Sequence, residues 1–259
     1  MSPNDIRQNK IGDCWFLASL AALATRPDRI NFVICKSRNE NIDPDSGYEF
    51  KFYKMGKWLM YKVDKLLPGN IAALSAGNEW WVPYTEKAYA KRYQSYEARV
   101  KNGKGNGNKN NPVSKSGAGL GSKRTGFPFA TLCEAINGGW GAWGLTDLTG
   151  GIAIRTKLDW HAGHIHELFA WLFENKQEIL VTSSINNNYG HVREVLLANG
   201  LYGGHAYSVL DFEVVTDRTG QLIQLVNIRN PWGRGEFKGH WSDYSSKWDT
   251  LESPVGCLD

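Results

Sequence analysis

A chain of 259 residues, 42% hydrophobic and with eleven tryptophans, has the composition of a folded globular protein and the length of one large domain or two ordinary ones. It contains no run of eighteen apolar residues, which excludes a long apolar membrane helix. Its polar start, MSPNDIRQNK, lacks the apolar core of a secretory signal. The net charge of +4 is uneven, because Arg99 to Thr125 carries seven basic residues and no acid, so the remainder is net negative. Cys14, Cys35, Cys133 and Cys257 lie far apart, with no CxxC pair or metal-ligand spacing. That pattern predicts free thiols in a reducing, intracellular (cytoplasmic) setting.

In chain order, the first strong element is Gln8 to Ala24, QNKIGDCWFLASLAALA. From Trp15 it reads as a helix apolar on nearly every face, and such a helix belongs inside a domain. Arg26-Pro27 ends it, since the residue before proline avoids the helical region. Cys14 falls in the first turn, behind Gly12 and Asp13, the latter a good N-capping type. The positive helix terminus favours a thiolate there, whereas an ionised Asp13 opposes it, so a reactive Cys14 needs a cationic partner. Without one it reads as a small core residue beside a cap.

Gly47 to Pro68 predicts two strands around a turn at Met55-Gly56. In GNEWWVPYTEKAYAKRYQSYEA, Trp81, Tyr84, Ala88 and Tyr89 recur at helical spacing, with Pro83 tolerated in the first turn. The basic segment 99–125, rich in Gly, Asn and Ser, reads as a flexible surface insertion. It has no interleaved aromatics, so no nucleic-acid partner is expected. A short helix over Phe129 to Ile136 and a glycine-rich run, GGWGAWG, follow. The paired Gly150 and Gly151 suggest a hinge between two lobes. Beyond it, His164 to Asn175 is helical, and Glu178 to Ile185, Gly204 to Val215 and Leu222 to Arg229 are β-rich, the last two joined by the turn-like Thr216 to Gly220. His161, His164 and His166 have no cysteine or carboxylate at ligand spacing and read as solvent-facing. Cys35 and Cys133 read as structural thiols.

The cation that Cys14 needs is available in the second half. His205 starts one predicted strand and Asn230 follows the next, so pairing the two strands brings the side chains close. Gly203 and Gly204 would leave the imidazole accessible. Cysteine, histidine and asparagine in that order make a thiol-protease constellation. Histidine pairs with the thiolate, and the asparagine oxygen accepts from the other ring nitrogen. The amide of Gln8, with the backbone N–H of Cys14, can form an oxyanion hole, and Trp232 can shield the His–Asn bond from water.

QNKIGDCWFLASLAAL, GGHAYSVLDFEV and RNPWGRGEFKGHWSD, with DKLLP, GNEWW and EKAYAK, resemble the calpain family of cysteine proteases along essentially the whole chain. The resemblance implies an α+β, papain-like core split into a helix-rich lobe, 1–149, and an antiparallel β lobe, 150–259. It implies limited intracellular proteolysis of proteins and dependence on Ca2+. It places the catalytic cysteine, histidine and asparagine on Cys14, His205 and Asn230, the oxyanion glutamine on Gln8 and the shielding tryptophan on Trp232. The separation of 191 positions from Cys14 to His205 exceeds the roughly 130–150 of one-piece papain enzymes. Calcium would be held through Asp5 and Glu79 in the first lobe and Glu236 and Asp243 in the second, unless these four are surface carboxylates. Against the family pattern, the chain begins close to Cys14, and the β lobe reads as C-terminally incomplete. The incomplete β lobe keeps open a non-catalytic, calpain-like binding or regulatory module, and the thiol chemistry keeps open an acyltransferase, since an amine can resolve an acyl-enzyme in place of water.

Overall fold

The fold, taken from a computed structural model, is described over residues 1–35, 47–67, 72–102, 136–158, 164–186 and 194–252. Most of the basic insertion, most of the predicted helix at Phe129 to Ile136, and His161, Cys133 and Cys257 lie outside these residues. Among the described residues, no helix is long and apolar enough to cross a membrane.

The organising element is α1 (Cys14–Ala24), whose residues from Trp15 to Ala24 are all buried. It ends where Arg26-Pro27 predicted, but Pro27 at once opens α2 (Pro27–Val33). The stop signal doubles as a start because proline's fixed φ suits a first helical turn. Before α1, a 3-10 turn (Pro3–Asp5) is closed by a Ser2–Asp5 capping box and leads into β1 (Ile6–Arg7). After α2, β2 (Ile34–Cys35), β3 (Tyr48–Lys54) and β4 (Lys57–Val63) form an antiparallel sheet in that order. The β3–β4 turn puts Met55 at φ 47° and Gly56 at φ 77°, the two positive values that a tight hairpin requires. β5 (Leu74–Ser75) pairs with β1.

Next is α3 (Trp81–Asn102), which runs four residues into the segment predicted to be a flexible loop. The glycine-rich run is also helical, forming α4 (Gly141–Thr149). Sequence propensity missed it because glycine is a poor helix former, whereas packing demands glycine here. A Cβ on Gly144 would lie 2.5 Å from Ser19 Oγ on α1, and one on Gly141 2.2 Å from Thr182 Oγ1. Gly150, read as half of a hinge, is the left-handed C-cap of α4 at φ 71°, an ordinary use of glycine.

The second half contributes α5 (Ile165–Glu174), β6 (Val181–Ser184), β7 (Val195–Leu196), β8 (Tyr202–Gly203), β9 (Ala206–Thr216) and β10 (Leu222–Arg229). β10, β9 and β6 form an antiparallel sheet in that order, and β7 pairs with β8. The architecture is α+β with antiparallel sheets. α1 joins its parts: α4 packs on one side, with Ser19 Oγ donating to the Gly141 carbonyl at 3.0 Å. β9 packs on another, with Ser208 Oγ donating to the Ala18 carbonyl at 2.9 Å. The start of α1 therefore faces the start of β9.

Around α1, Phe16 stacks on Tyr89 of α3 with ring centroids 3.7 Å apart, and the Trp15 indole donates to the Ile136 carbonyl. One charged network lies in this core. Asp147 of α4 accepts from the Arg92 guanidinium and from the Tyr89 hydroxyl at 2.7 Å, while Arg92 also donates to the Tyr53 carbonyl on β3. Burial raises the Asp147 carboxyl despite the Arg92 charge beside it.

Candidate active site

Cys14 is the first residue of α1, so its own N–H has no acceptor within the helix. Asp13 occupies the N-cap position but makes no side-chain capping bond; the helix is started through its carbonyl, which accepts from Phe16 and Leu17. The carboxyl is fully buried instead, beside the equally buried Glu86 of α3, whose second oxygen accepts from Ala73 N–H at 2.8 Å. Two buried carboxyl groups can hydrogen-bond only if one is protonated. Burial pushes Asp13 up to about 7, with the bond to Glu86 working the other way. Glu86 is raised well above the usual carboxylate range by burial and by Asp13. The expected like-charge opposition from Asp13 is thus weakened at and below about pH 7. Below about pH 7, Asp13 is largely a neutral acid.

This pair has a consequence for stability. Folding raises the Asp13 carboxyl from 3.8 to about 7, so between those values the native state keeps a proton that the unfolded chain releases. Stability from this group is therefore present at low pH and lost as pH rises through that window. Asp13→Asn, neutral at every pH, is expected to flatten the dependence. It should raise Tm at pH 8 relative to the wild type, by about 2–4 °C for each kcal/mol recovered, with a smaller gain at pH 5. Thermal melts at the two pH values check this, and parallel pH profiles for both proteins would contradict it.

His205 sits immediately before β9, and Asn230 immediately after β10. The hairpin register pairs Ser208 with Arg229, which brings these two ends together. His205 Nε2 donates to Asn230 Oδ1 at 2.8 Å. The same oxygen accepts from Trp232 N–H at 3.0 Å, and the Asn230 amide donates to the Arg234 carbonyl. The carboxamide is thereby fixed as an acceptor toward the ring. The Trp232 ring lies 4.5 Å from the imidazole, and Tyr202 and Tyr207 approach the same ring edge-on. His205 is only 1% exposed, so the flanking glycines do not leave it open to solvent. Tyr202, Tyr207 and Trp232 account for the enclosure.

With Nε2 committed to Asn230, Nδ1 is left for the thiol. The Cys14 sulfur, a ring nitrogen of His205 and a carboxylate oxygen of Glu194 all lie within 4.8 Å of one another. Glu194 Oε1 is 3.0 Å from Nδ1. Burial opposes charging of the imidazole, but the hydrogen bonds to Cys14, Glu194 and Asn230, with the electrostatic influence of Cys14, outweigh it and raise His205 to about 9. The ring is an imidazolium at neutral pH. Sequence reasoning missed Glu194, since its place eleven residues before His205, ahead of β7, carries no periodic or motif signal.

Gln8 is tied to the same corner. Its backbone N–H donates to the Pro231 carbonyl at 2.7 Å, and its side-chain nitrogen donates to the Ile11 carbonyl at 2.7 Å. One amide hydrogen remains. The first predicted calcium pair is Asp5 and Glu79. Asp5 Oδ2 is engaged by Ser2 N–H at 2.7 Å and by the Trp81 indole at 3.1 Å, while Glu79 is exposed. Glu236 and Asp243 are exposed as well. Among the described residues, none of the four joins a group of three converging acidic, histidine or cysteine ligands. Of the other histidines, His164 pairs with Glu167 at 3.0 Å and His166 with Gln224 at 2.8 Å, both at the surface.

A thiol at a helix start, an imidazolium beside it and a carboxamide fixing the ring form the arrangement of thiol-dependent acyl transfer. The family description "Calpain family cysteine protease" matches residues 1–108 and 129–255. The chain belongs to the calpain family of cysteine proteases. It is similar to the calpain-1 catalytic subunit of Rattus norvegicus, 29% identical over 253 residues, covering 96% of this chain and 30% of that protein. Human calpain-14 is 30% identical over 257 residues, covering 95% and 30%. The calpain-2 catalytic subunit of Gallus gallus is 28% identical over 256, covering 97% and 31%. The chain thus spans about three tenths of the length of these relatives.

Proposed function

We propose that this chain is a cysteine endopeptidase that cleaves protein substrates through Cys14, His205 and Asn230. The observation that carries the reading is the line of groups from the Cys14 sulfur through the His205 ring to Asn230 Oδ1, 2.8 Å from Nε2. In this mechanism the thiolate attacks the scissile carbonyl. The C–N bond breaks as His205 gives its Nδ1 proton to the departing amine, leaving an acyl-Cys14 thioester. His205 then takes a proton from water, whose hydroxide attacks the thioester; the acid product leaves and the thiolate–imidazolium pair returns. The free amide hydrogen of Gln8 and the Cys14 N–H are the groups for the developing oxyanion. Trp232 keeps water from the His–Asn bond.

The papain-like division at 149/150 belongs to the same reading, supported by α1 lying between α4 and β9. So does control by calcium, which rests on the family resemblance; no step of the mechanism is routed through it. The test is product analysis on a denatured protein substrate across a calcium titration, with Cys14→Ser as control. New peptide termini that vanish in Cys14→Ser are expected, with a rate that rises with calcium. Incorporation of an added amine instead would indicate an acyltransferase, and neither product would favour a binding module. If Glu79→Ala and Asp243→Ala match the wild type at every calcium concentration, those carboxylates are surface charge.

A further inference from the structure

Glu194 sits 3.0 Å from Nδ1, the ring nitrogen that the thiol requires. We infer that Cys14, Glu194 and His205 form a binding site for a borderline-soft divalent transition ion such as Zn2+, whose occupancy blocks the thiol. The sulfur, the ring nitrogen and the carboxylate oxygen are mutually within 4.8 Å. A tetrahedral zinc with bonds of about 2.0–2.3 Å sets its ligands roughly 3.3–3.8 Å apart, so shifts of about an ångström close the site. Thiolate, imidazole and carboxylate are all zinc donors, and three protein ligands leave a fourth position for water.

The surroundings suit a metal. A metal-bound histidine usually donates its other N–H to a fixed oxygen, which selects the tautomer. Here Nε2–H donates to Asn230 Oδ1 at 2.8 Å, leaving the Nδ1 lone pair for the ion. That oxygen is itself held by Trp232 N–H. Cys14 is fixed by the buried α1, and His205 by three aromatic rings. The Glu194 side chain, about 31% exposed, gives the ion a way in. Binding of the ion displaces the protons held on the donor atoms, the one on Nδ1 among them, to solvent.

The inhibitory consequence rests on the proposed nucleophilic role of Cys14, but the site itself does not. The test is a Co2+ titration of the full chain at pH 7.5, followed by a thiolate-to-cobalt charge-transfer band. The expected result is a band saturating at one equivalent and displaced by Zn2+. It should be absent in Cys14→Ser, unchanged in Cys35→Ser, and shifted at least tenfold to higher cobalt in Glu194→Gln. Zinc should also slow alkylation of Cys14, and a chelator should restore it. No band at stoichiometric cobalt, or a band indifferent to Glu194→Gln, overturns the proposal. If the band is missing while Cys14 alkylates rapidly, the metal site fails and the endopeptidase reading survives. If the band forms as expected but Cys14 never alkylates in metal-free protein, the endopeptidase reading fails and the metal site stands.

Discussion

His205→Ala is expected to lower the rates of peptide cleavage and of Cys14 alkylation by at least about 10³-fold at pH 7.5. General acid–base catalysis by a positioned histidine contributes roughly 10²–10⁴-fold, and in the proposed mechanism the same ring is also the cationic partner of the thiol. Losing both functions places the effect toward the upper end. The pH profile separates this from simple misfolding. In the wild type the alkaline limb should fall near pH 9, where His205 loses its proton. Glu194→Gln removes one of the groups that raise the imidazole, so its alkaline limb should move to lower pH. Asn230→Ala should act in the same direction, since the Nε2–H···Oδ1 bond also favours the charged ring. A profile unmoved by either variant would show that the ring is not held as described.

The largest structural effect is expected from Asp147→Ala, at about 3–5 kcal/mol of destabilisation, the range for removing one member of a buried ion pair. The substitution would leave the Arg92 charge in the core without the carboxylate it donates to and would take the acceptor from the Tyr89 hydroxyl. Because Asp147 lies on α4, Arg92 and Tyr89 on α3, and the Tyr53 carbonyl on β3, all three elements lose their common tie. Asp147→Asn keeps shape and hydrogen bonding and should cost less. Denaturant unfolding of both variants tests this, and equal midpoints for Asp147→Ala and the wild type would contradict it.

The parts of this fold legible in the sequence are those with a clean period or a turn signal. The uniform apolarity of Trp15 to Ala24 marked α1 as buried. Met55-Gly56 marked the β3–β4 hairpin, and Thr216 to Gly220 marked the turn that brings His205 and Asn230 to one end of a β ladder. What escaped was decided by packing between distant segments. α4 is helical despite its glycines because Ser19 and Thr182 leave no room for a Cβ. Pro27 ended one helix and began another. Asp13 reads as a cap or a competing charge until Glu86, seventy-three residues away, is seen buried beside it. Glu194 and the burial of His205 were equally invisible, because both depend on where Tyr202, Tyr207 and Trp232 come together.

The most direct measurement is the site of covalent capture by a peptidyl epoxide, read by peptide mass spectrometry with calcium present. If the Cys14–His205–Asn230 line carries the chemistry, the adduct should fall on Cys14 alone and should be lost in His205→Ala. Adducts spread over Cys35, Cys133 or Cys257, or none at all on folded protein, would contradict the account.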